Sequence, residues 1–512
     1  TVTDADGKFS LMVDNNARIR VTYIGYVEQL IDTKWKNNFE IRLLEDTQAL
    51  EELVVIGYGT VKKKDLTGSV SSVSPRDFRA QPVQGISEMI AGRVAGVMVT
   101  QTNGDASAST KIRIRGSNSL NGSNDPLYIV DGVPMGSYSP SDVESIEVLK
   151  DASATAIYGS RGANGVVLIT TKRGSTGGPY AEVVANTSFA TYPKFYDLLD
   201  GKEFGVFYNQ YFGTNLVFPE YNTDWQKVLT QTGIRQNYQA NISGGTDKMN
   251  FYVGGNYIHN QGTIKNNDSE NYRLRSNFDF KLGSRFSGKV DLSVGQSRSH
   301  NSNEFTSKGP LFSALQWSPC LPTIDENGNY TASDPYSTTY LNPYMEIMEA
   351  NSNSYGTSVA VNGHFAYQVI EGLKLSVQPA INRSLSEGRS FSNSMISSGG
   401  DVTASRSMGN STSWQITSLA TYDKTFNMKH NLNAMLGSEL YKSEYYGFSA
   451  RGQKFFDEKV LWNNLGSATT QTISSSYSSE ALASFFTRAN YNYDSRYYVT
   501  ASLRADGSSK FR

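Results

Sequence analysis

The chain has one cysteine in 512 residues, Cys320, which excludes an internal disulfide framework. Histidine is nearly as scarce. His259, His300, His364 and His430 stand far apart, so no centre built from Cys and His is expected. No run of about 18 apolar residues occurs, and no transmembrane helix is read. That absence leaves a membrane protein open, because a β-barrel hides its lipid-facing residues at alternate positions. Charge of either sign is not in excess: 47 Lys+Arg face 48 Asp+Glu, and nothing in that balance points to nucleic acid. No leader is visible. Thr1 to Leu11 reads as strand, turn and strand rather than as a basic and then apolar signal, so the N-terminus reads as cut.

Catalytic and phosphate-binding motifs are also missing. Gly57-Tyr58-Gly59 lacks the third glycine and the following helix of a nucleotide loop. The Asp4/Asp6 pair and the run Asp325-Glu326-Asn327-Gly328-Asn329 have too few oxygen ligands at the right spacing for a calcium loop, and both read as turns. No triad or paired-carboxylate motif appears. An enzyme is not expected, and neither a cofactor nor a metal is called for.

What is present in quantity is glycine, tyrosine and phenylalanine: 45, 31 and 24 residues. This usage suits a β-rich chain with many turns and amphipathic rings. It does not by itself separate a membrane barrel from a secreted all-β enzyme or adhesin. The order of segments does more. Residues 1–46 read as short strands, with a hairpin signal at Asp6-Gly7, alternation at Phe9, Leu11 and Val13, and further strands over Arg18–Tyr26 and Phe39–Leu44. Leu50 to Gly59 is a short acidic and then apolar stretch with no room for a core of its own. It reads as a β-prone tether able to pair with a partner's sheet edge, the other reading being a linker strand.

Residues 62–175 read as a small mixed domain. Ile86, Met89, Ile90 and Val94 have helical spacing, Lys111–Gly116 alternates as a strand, and Pro126–Pro134 runs as a strand into a tight turn. Ser141–Lys150 supplies a cap and a strand, Asp151–Ala156 a short helical turn, and Val166–Thr171 a last strand. The block closes on Tyr158-Gly159-Ser160-Arg161-Gly162-Ala163-Asn164-Gly165.

From about residue 176 onward the period is 2. Tyr272, Leu274, Phe278, Phe280 and Leu282 alternate with Arg273, Arg275, Asn277, Asp279 and Lys281, and a Gly283-Ser284 turn leads into Phe286, Val290, Leu292 and Val294. Met249–Tyr257, Val359–Val369 and Tyr497–Leu503 repeat the pattern. A soluble sandwich has the same period. These strands, however, exceed the about 9–11 residues a tilted membrane strand needs. Tight turns also alternate with long excursions such as Ser297 to Tyr355, and Tyr and Phe crowd the strand ends. Roughly eleven such strands are counted, about half of a plugged 22-stranded transporter. Eleven strands do not close in lipid, so the chain is expected to be the N-terminal part of a longer protein.

Taken together, these residues resemble the SusC-like (RagA/SusC) TonB-dependent outer-membrane transporters, from the first residues to the last. Lys150-Asp151-Ala152 favours that branch over other TonB-dependent receptors. The resemblance implies a mainly β chain with four parts. Residues 1–46 form a carboxypeptidase-regulatory-like β-sandwich, 47–61 a TonB-box linker, 62–175 an α+β plug domain, and 176–512 part of a large antiparallel transmembrane β-barrel. It identifies Glu51, Glu52, Leu53, Val54, Val55, Ile56 and Gly57 as the TonB box, and Asp131, Gly132, Tyr158, Gly159, Arg161, Gly162 and Gly165 as plug-motif residues. It implies active import of a bulky oligosaccharide or peptide across the outer membrane of a Gram-negative, Bacteroidota-like cell. The partners it implies are TonB with its inner-membrane proton-driven complex, a SusD-like surface lipoprotein and outer-membrane lipid. The alternatives are a transporter-like signal transducer acting on an anti-sigma factor, a passive pore and a soluble carbohydrate-binding β protein. Trp317, Tyr336, Tyr340 and Tyr344, in the long excursion after Val294, are candidate substrate contacts, or else pack that loop or meet the lipoprotein.

Overall fold

The computed structural model describes residues 8–13, 17–21, 29–33, 38–43, 53–56, 59–62, 69–74, 85–101, 110–120, 122–134, 136, 138–301, 309–337, 341–427, 429–494 and 496–510. The chain divides into two units, residues 1–67 and 68–512.

In the first unit, β1 (Arg18–Val21) pairs antiparallel with β2 (Gln29–Asp32), and β3 (Leu53–Ile56) with β4 (Gly59–Lys62). The described stretches 8–13 and 38–43 are not strands, contrary to the alternation at Phe9–Val13 and Phe39–Leu44. Period 2 alone does not make a strand without a ladder partner, and Met12 stands 94% exposed. The described residues give one ladder where the resemblance implies a sandwich. The Asp6-Gly7 turn, Glu51, Glu52 and Gly57 lie outside the described residues.

The second unit opens with an α+β block. Its five-stranded sheet runs in the order β5 (Val70–Val73), β10 (Val143–Leu149), β11 (Val166–Thr171), β8 (Leu127–Val130), β9 (Val133–Pro134). β10 lies antiparallel to both neighbours, whereas β11 and β8 are parallel. A hairpin of β6 (Val97–Gln101) and β7 (Thr110–Ile114) and a helix at Ile86–Ile90 cover one face. The run Val166-Val167-Leu168-Ile169 is apolar without alternation because this strand is central and covered on both sides. Met89, Ile90, Ile146, Val148 and Val167 are fully buried in the core.

The rest is one antiparallel sheet of eleven strands in sequence order, the number the alternation gave. These are β12 (Gly177–Ala190), β13 (Gly233–Gly245), β14 (Met249–Gln261), β15 (Asp268–Leu282), β16 (Phe286–His300), β17 (Asn351–Ile370), β18 (Leu373–Ser392), β19 (Thr403–Phe426), β20 (His430–Gln453), β21 (Thr470–Tyr493) and β22 (Tyr497–Ser508). Turns of two or three residues close one end, at 246–248, 283–285, 371–372, 427–429 and 494–496. The other end carries 191–232, 262–267, 301–350, 393–402 and 454–469. The excursion expected from Ser297 to Tyr355 is shorter, because both flanking strands run further than their apolar alternation. Above an apolar belt a barrel wall meets water on its outer face, so polar side chains no longer betray the face.

The register sorts every side chain. Arg275, Asn277, Asp279, Asp291 and Glu439 point inward, where the α+β block covers them. Leu274, Ile381, Leu440 and Leu503 point outward and are 47–72% exposed, which only a non-aqueous surrounding makes favourable. One pairing row reads Leu274, Val294, Val359, Arg383, Thr412, Glu444 across β15 to β20, and the next row reads Leu292, Val361, Ile381, Trp414, Lys442 across β16 to β20. Each row starts apolar and leaves the belt as it crosses the sheet, so the strands are tilted to the belt. Tyr238, Tyr257 and Tyr272 stack across β13–β15 at its upper edge, with ring centroids 6.3 and 4.7 Å apart. Tyr493 and Tyr497 meet at its lower edge, 6.5 Å apart. The fold is therefore mainly β, with an α+β plug block and a large antiparallel sheet that forms part of a barrel.

Candidate functional site

The plug block meets the inner wall at two places, and the seat at the first is the more polar. The turn between β8 and β9 is made by Asp131 and Gly132, both at positive φ (48° and 86°), the backbone of a two-residue hairpin that favours Asp-Gly. Thr171, at the end of β11, donates its backbone N–H to Asp131 Oδ1 (3.1 Å) and its hydroxyl to Oδ2 (2.6 Å). Arg275 of β15 donates to the same Oδ2 at 2.7 Å and also to the Thr171 hydroxyl. Asn277 receives Arg275 Nε at 3.0 Å and passes a bond of 2.8 Å to the carbonyl of Lys172. From β18, Gln378 donates to the Asp131 carbonyl at 2.9 Å. Arg173 forks between Asp279 (2.6 Å) and Asp291 (3.0 Å), on β15 and β16. Tyr252 of β14 donates its hydroxyl to Asp142 at 2.7 Å.

The charges are matched to this cradle. Burial pushes the Asp131 carboxyl up, but the Arg275 and Arg173 guanidiniums and the bonds from Thr171 and Arg275 outweigh it and hold the group below the usual carboxylate range. Burial dominates at Asp142, and its carboxyl is held above that range despite the Tyr252 bond and the cations nearby. Arg173 is pulled down by burial and more than restored by Asp291, Asp131 and Asp279.

The second contact is a latch under the glycine-rich end of the plug. Arg161 pairs with Glu439 of β20, whose side chain is fully buried, and lies over the Tyr441 ring at 5.3 Å. Arg504 of β22 donates to the Ile157 carbonyl at 2.6 Å, to Asp506 at 2.7 Å and to Ser484 at 2.8 Å. Gly159 has φ 62°, and a side chain there would strike Arg504 and Asp506. Tyr158 is buried beside it, and Gly165, at φ 89°, packs against Ile114.

The plug-motif residues thus fall into two groups. Asp131 and Gly132 form the seat, while Tyr158, Gly159, Arg161, Gly162 and Gly165 form the latch or its support. The barrel half of both contacts was missed: Arg275, Asn277, Asp279, Asp291, Gln378, Glu439 and Arg504. The signal available was the run of polar inward positions on β15, with charge at Arg273, Arg275 and Asp279. Among the described residues no three His, Cys, Asp or Glu come together as a metal set.

The candidate substrate residues sit in the loops at the open end. Trp317 is 4% exposed and packs edge-on against Trp225 at 5.2 Å, in a core with Leu229, Cys320 and Ile347. Tyr336 and Tyr344 pack on the same core, half-buried, and Tyr340 lies outside the described residues. A cavity of about 630 Å³ opens beside Trp317, walled by Phe195, Tyr196, Phe204, Asp224 and Trp225. Gln226 holds its rim by exchanging two 2.9 Å bonds with the backbone of Tyr196. The Asp325 run forms a turn, with Asp325 Oδ1 accepting from the N–H groups of Asn327 and Asn329.

Comparison with known proteins agrees with this geometry. Residues 62–166 match the TonB-dependent receptor plug domain. The chain is 37% identical to TonB-dependent receptor P3 of Formosa agariphila, over all of this chain and 52% of that one. It is 30% identical to TonB-dependent receptor SusC of Bacteroides thetaiotaomicron, over all of this chain and 54% of that one. The open-open state of the RagAB peptide importer superposes with a TM-score of 0.79 at 26% identity, over 90% of this chain and 57% of that one. The chain spans about half the length of the curated relatives it matches. These relatives are receptors and transporters, not enzymes. Over its whole length the chain is homologous to the SusC-type TonB-dependent receptors, with their plug domain at residues 62–166.

Proposed function

We propose that the protein imports a bulky nutrient, an oligosaccharide or a peptide, across the outer membrane of a Gram-negative bacterium, with TonB supplying the pull. The observation that carries this is a plug bonded by paired charges to the inner wall of a sheet whose outer wall is apolar. A passive pore has no use for such a seat. A gate that must stay shut until pulled does, because an outer membrane holds no nucleotide to drive it. Glu51 to Gly57 would be the handle. Leu53–Ile56 already adopts a strand, the conformation in which a segment adds to a partner's sheet edge. A SusD-like surface lipoprotein would cover the loop end, as the RagAB and SusC relationships suggest, and the aromatic loop around Trp317 would face it or the substrate.

Deleting Glu51 to Gly57 from the full-length protein tests the coupling. Uptake by cells should stop while surface binding of substrate persists. Undiminished uptake would remove the handle from these residues.

A further inference from the structure

On the outer wall, just above the apolar belt, arginines gather on β16 to β19. Arg383 occupies the first outward position beyond Ile381 on β18. Arg389 lies further up the same strand and forks onto Glu387 with bonds of 2.9 and 3.0 Å, its guanidinium 4.7 Å from the Tyr355 ring. Arg406, across the ladder from Arg389, adds a 2.6 Å bond to the same Glu387. Arg298 stands opposite Tyr355, and its Nε has no partner. Arg383 is exposed. Two guanidiniums thus share one carboxylate, with Arg298 and Arg383 on the same outer face; the other acids there are Glu270, across from Arg298, and Glu444, in the row of Arg383, which pairs with Lys442 and accepts from Tyr477. Glu387 is shared by two arginines and cannot neutralise the group.

We propose that this patch binds the phosphate of an anionic glycolipid in the outer leaflet, an inference that rests on the membrane reading above. Position and charge select this occupant. Leu385, outward and 42% exposed, is the last exposed apolar residue of that face on β18, and Arg389 stands four residues beyond it, about 13 Å along the strand and about 10 Å along the normal at the usual tilt. The polar zone of a phospholipid leaflet is only about 5–8 Å deep. Arg389 and Arg406 therefore stand just past ordinary headgroups, at the height of phosphorylated sugars, while Arg383 lies below Leu385 at the edge of the belt. Arginine's fork suits phosphate. The exposed rings of Tyr446 and Tyr477, 4.8 Å apart on the neighbouring β20 and β21, offer sugar faces something to stack on.

The test uses the full-length protein in neutral detergent, titrated with lipid A bearing its phosphates, with the same lipid A after dephosphorylation, and with inorganic phosphate. Phosphorylated lipid A should bind tightest. Replacing Arg383→Gln with Arg406→Gln, which leaves the Arg389–Glu387 fork intact, should weaken it about thirtyfold, the factor about 2 kcal/mol represents. Glu387→Gln should tighten it. Because the two variants move affinity in opposite directions, loss of fold in one cannot imitate both results. Equal binding of the two lipid A forms, inorganic phosphate binding as tightly as lipid A, or variants without effect would overturn the proposal, as would a protein partner on the patch with no lipid preference. Insertion into plain phosphatidylcholine vesicles checks the membrane reading separately, since it needs the belt and not the patch.

Discussion

Arg275 on the barrel wall reaches Asp131 at the tip of a plug hairpin across 2.7 Å, with their side chains 4% and 8% exposed. An ion pair so enclosed contributes little beyond an apolar replacement, yet losing one partner is costly. It therefore fixes where the plug sits more than how stable it is. Removing Arg275 alone (Arg275→Met) should loosen the plug by about 3 kcal/mol, because Asp131 keeps its charge and Arg173 replaces only part of the field. Combining it with Asp131→Asn should recover most of that loss. Urea release of the plug, followed by protease sensitivity in the full-length protein, measures both. Additive losses would mean the two residues do not act as a pair.

The seat should weaken in acid. Asp131 is held below its ordinary pKa, so its contribution is complete above the usual carboxylate range and is lost as pH falls through the lowered value. Asp142, held high, takes up its proton earlier, and in neutral form it still bonds Tyr252. Plug release against pH should show an acid step in the native protein that Asp131→Asn lacks. The same step in both would assign it elsewhere.

Glu346, in the loop helix Pro343–Glu349, gives the opposite sign. Burial lifts its carboxyl to about 7. The folded loop disfavours the charged form, a penalty absent below the ordinary glutamate pKa of about 4.3 and complete above about 7. Fluorescence from the buried Trp225 and Trp317 should show Glu346→Gln unfolding later than the native loop at pH 8 and together with it at pH 4. A constant difference would mean the carboxyl does not titrate there.

Trp317→Ala should cost about 3–5 kcal/mol of loop stability, as for other buried aromatics, and should lower substrate affinity only through that loss. Tyr336 and Tyr344 pack on the same core, so for them and for Tyr340 a change to Ala reports direct contact only where affinity falls further than Trp317→Ala lowers it at an equal loss of loop stability. Calorimetry on the purified complex should show weaker substrate binding for at least one of them. Unchanged affinity at all three, with the lipoprotein still bound, would leave the loop a packing unit.

The sheet was legible because period 2 with tight turns is a local pattern. Residues such as Leu274 and Val294 declare their face within their own strand. Gly159 and Gly165 were legible as breaks in a short stretch around Arg161, and it was the family resemblance that marked that stretch as plug motif. The partners of that stretch were not legible. Glu439 is 278 residues from Arg161, one polar inward residue among many on β20, and only the stagger of tilted strands brings it under the plug. Arg275 stood in plain view as a polar-face residue, but alternation says which face and not what lies opposite. Trp317 shows the same limit: an aromatic in a loop reads as a contact surface until a second aromatic, Trp225, folds over it.

The most direct measurement is the conductance of the full-length protein in planar bilayers, with and without residues 62–175. The plug account predicts a nearly closed native channel and a large, steady conductance once the block is removed. Equal conductance in the two forms would contradict it, whatever the seat and the latch look like.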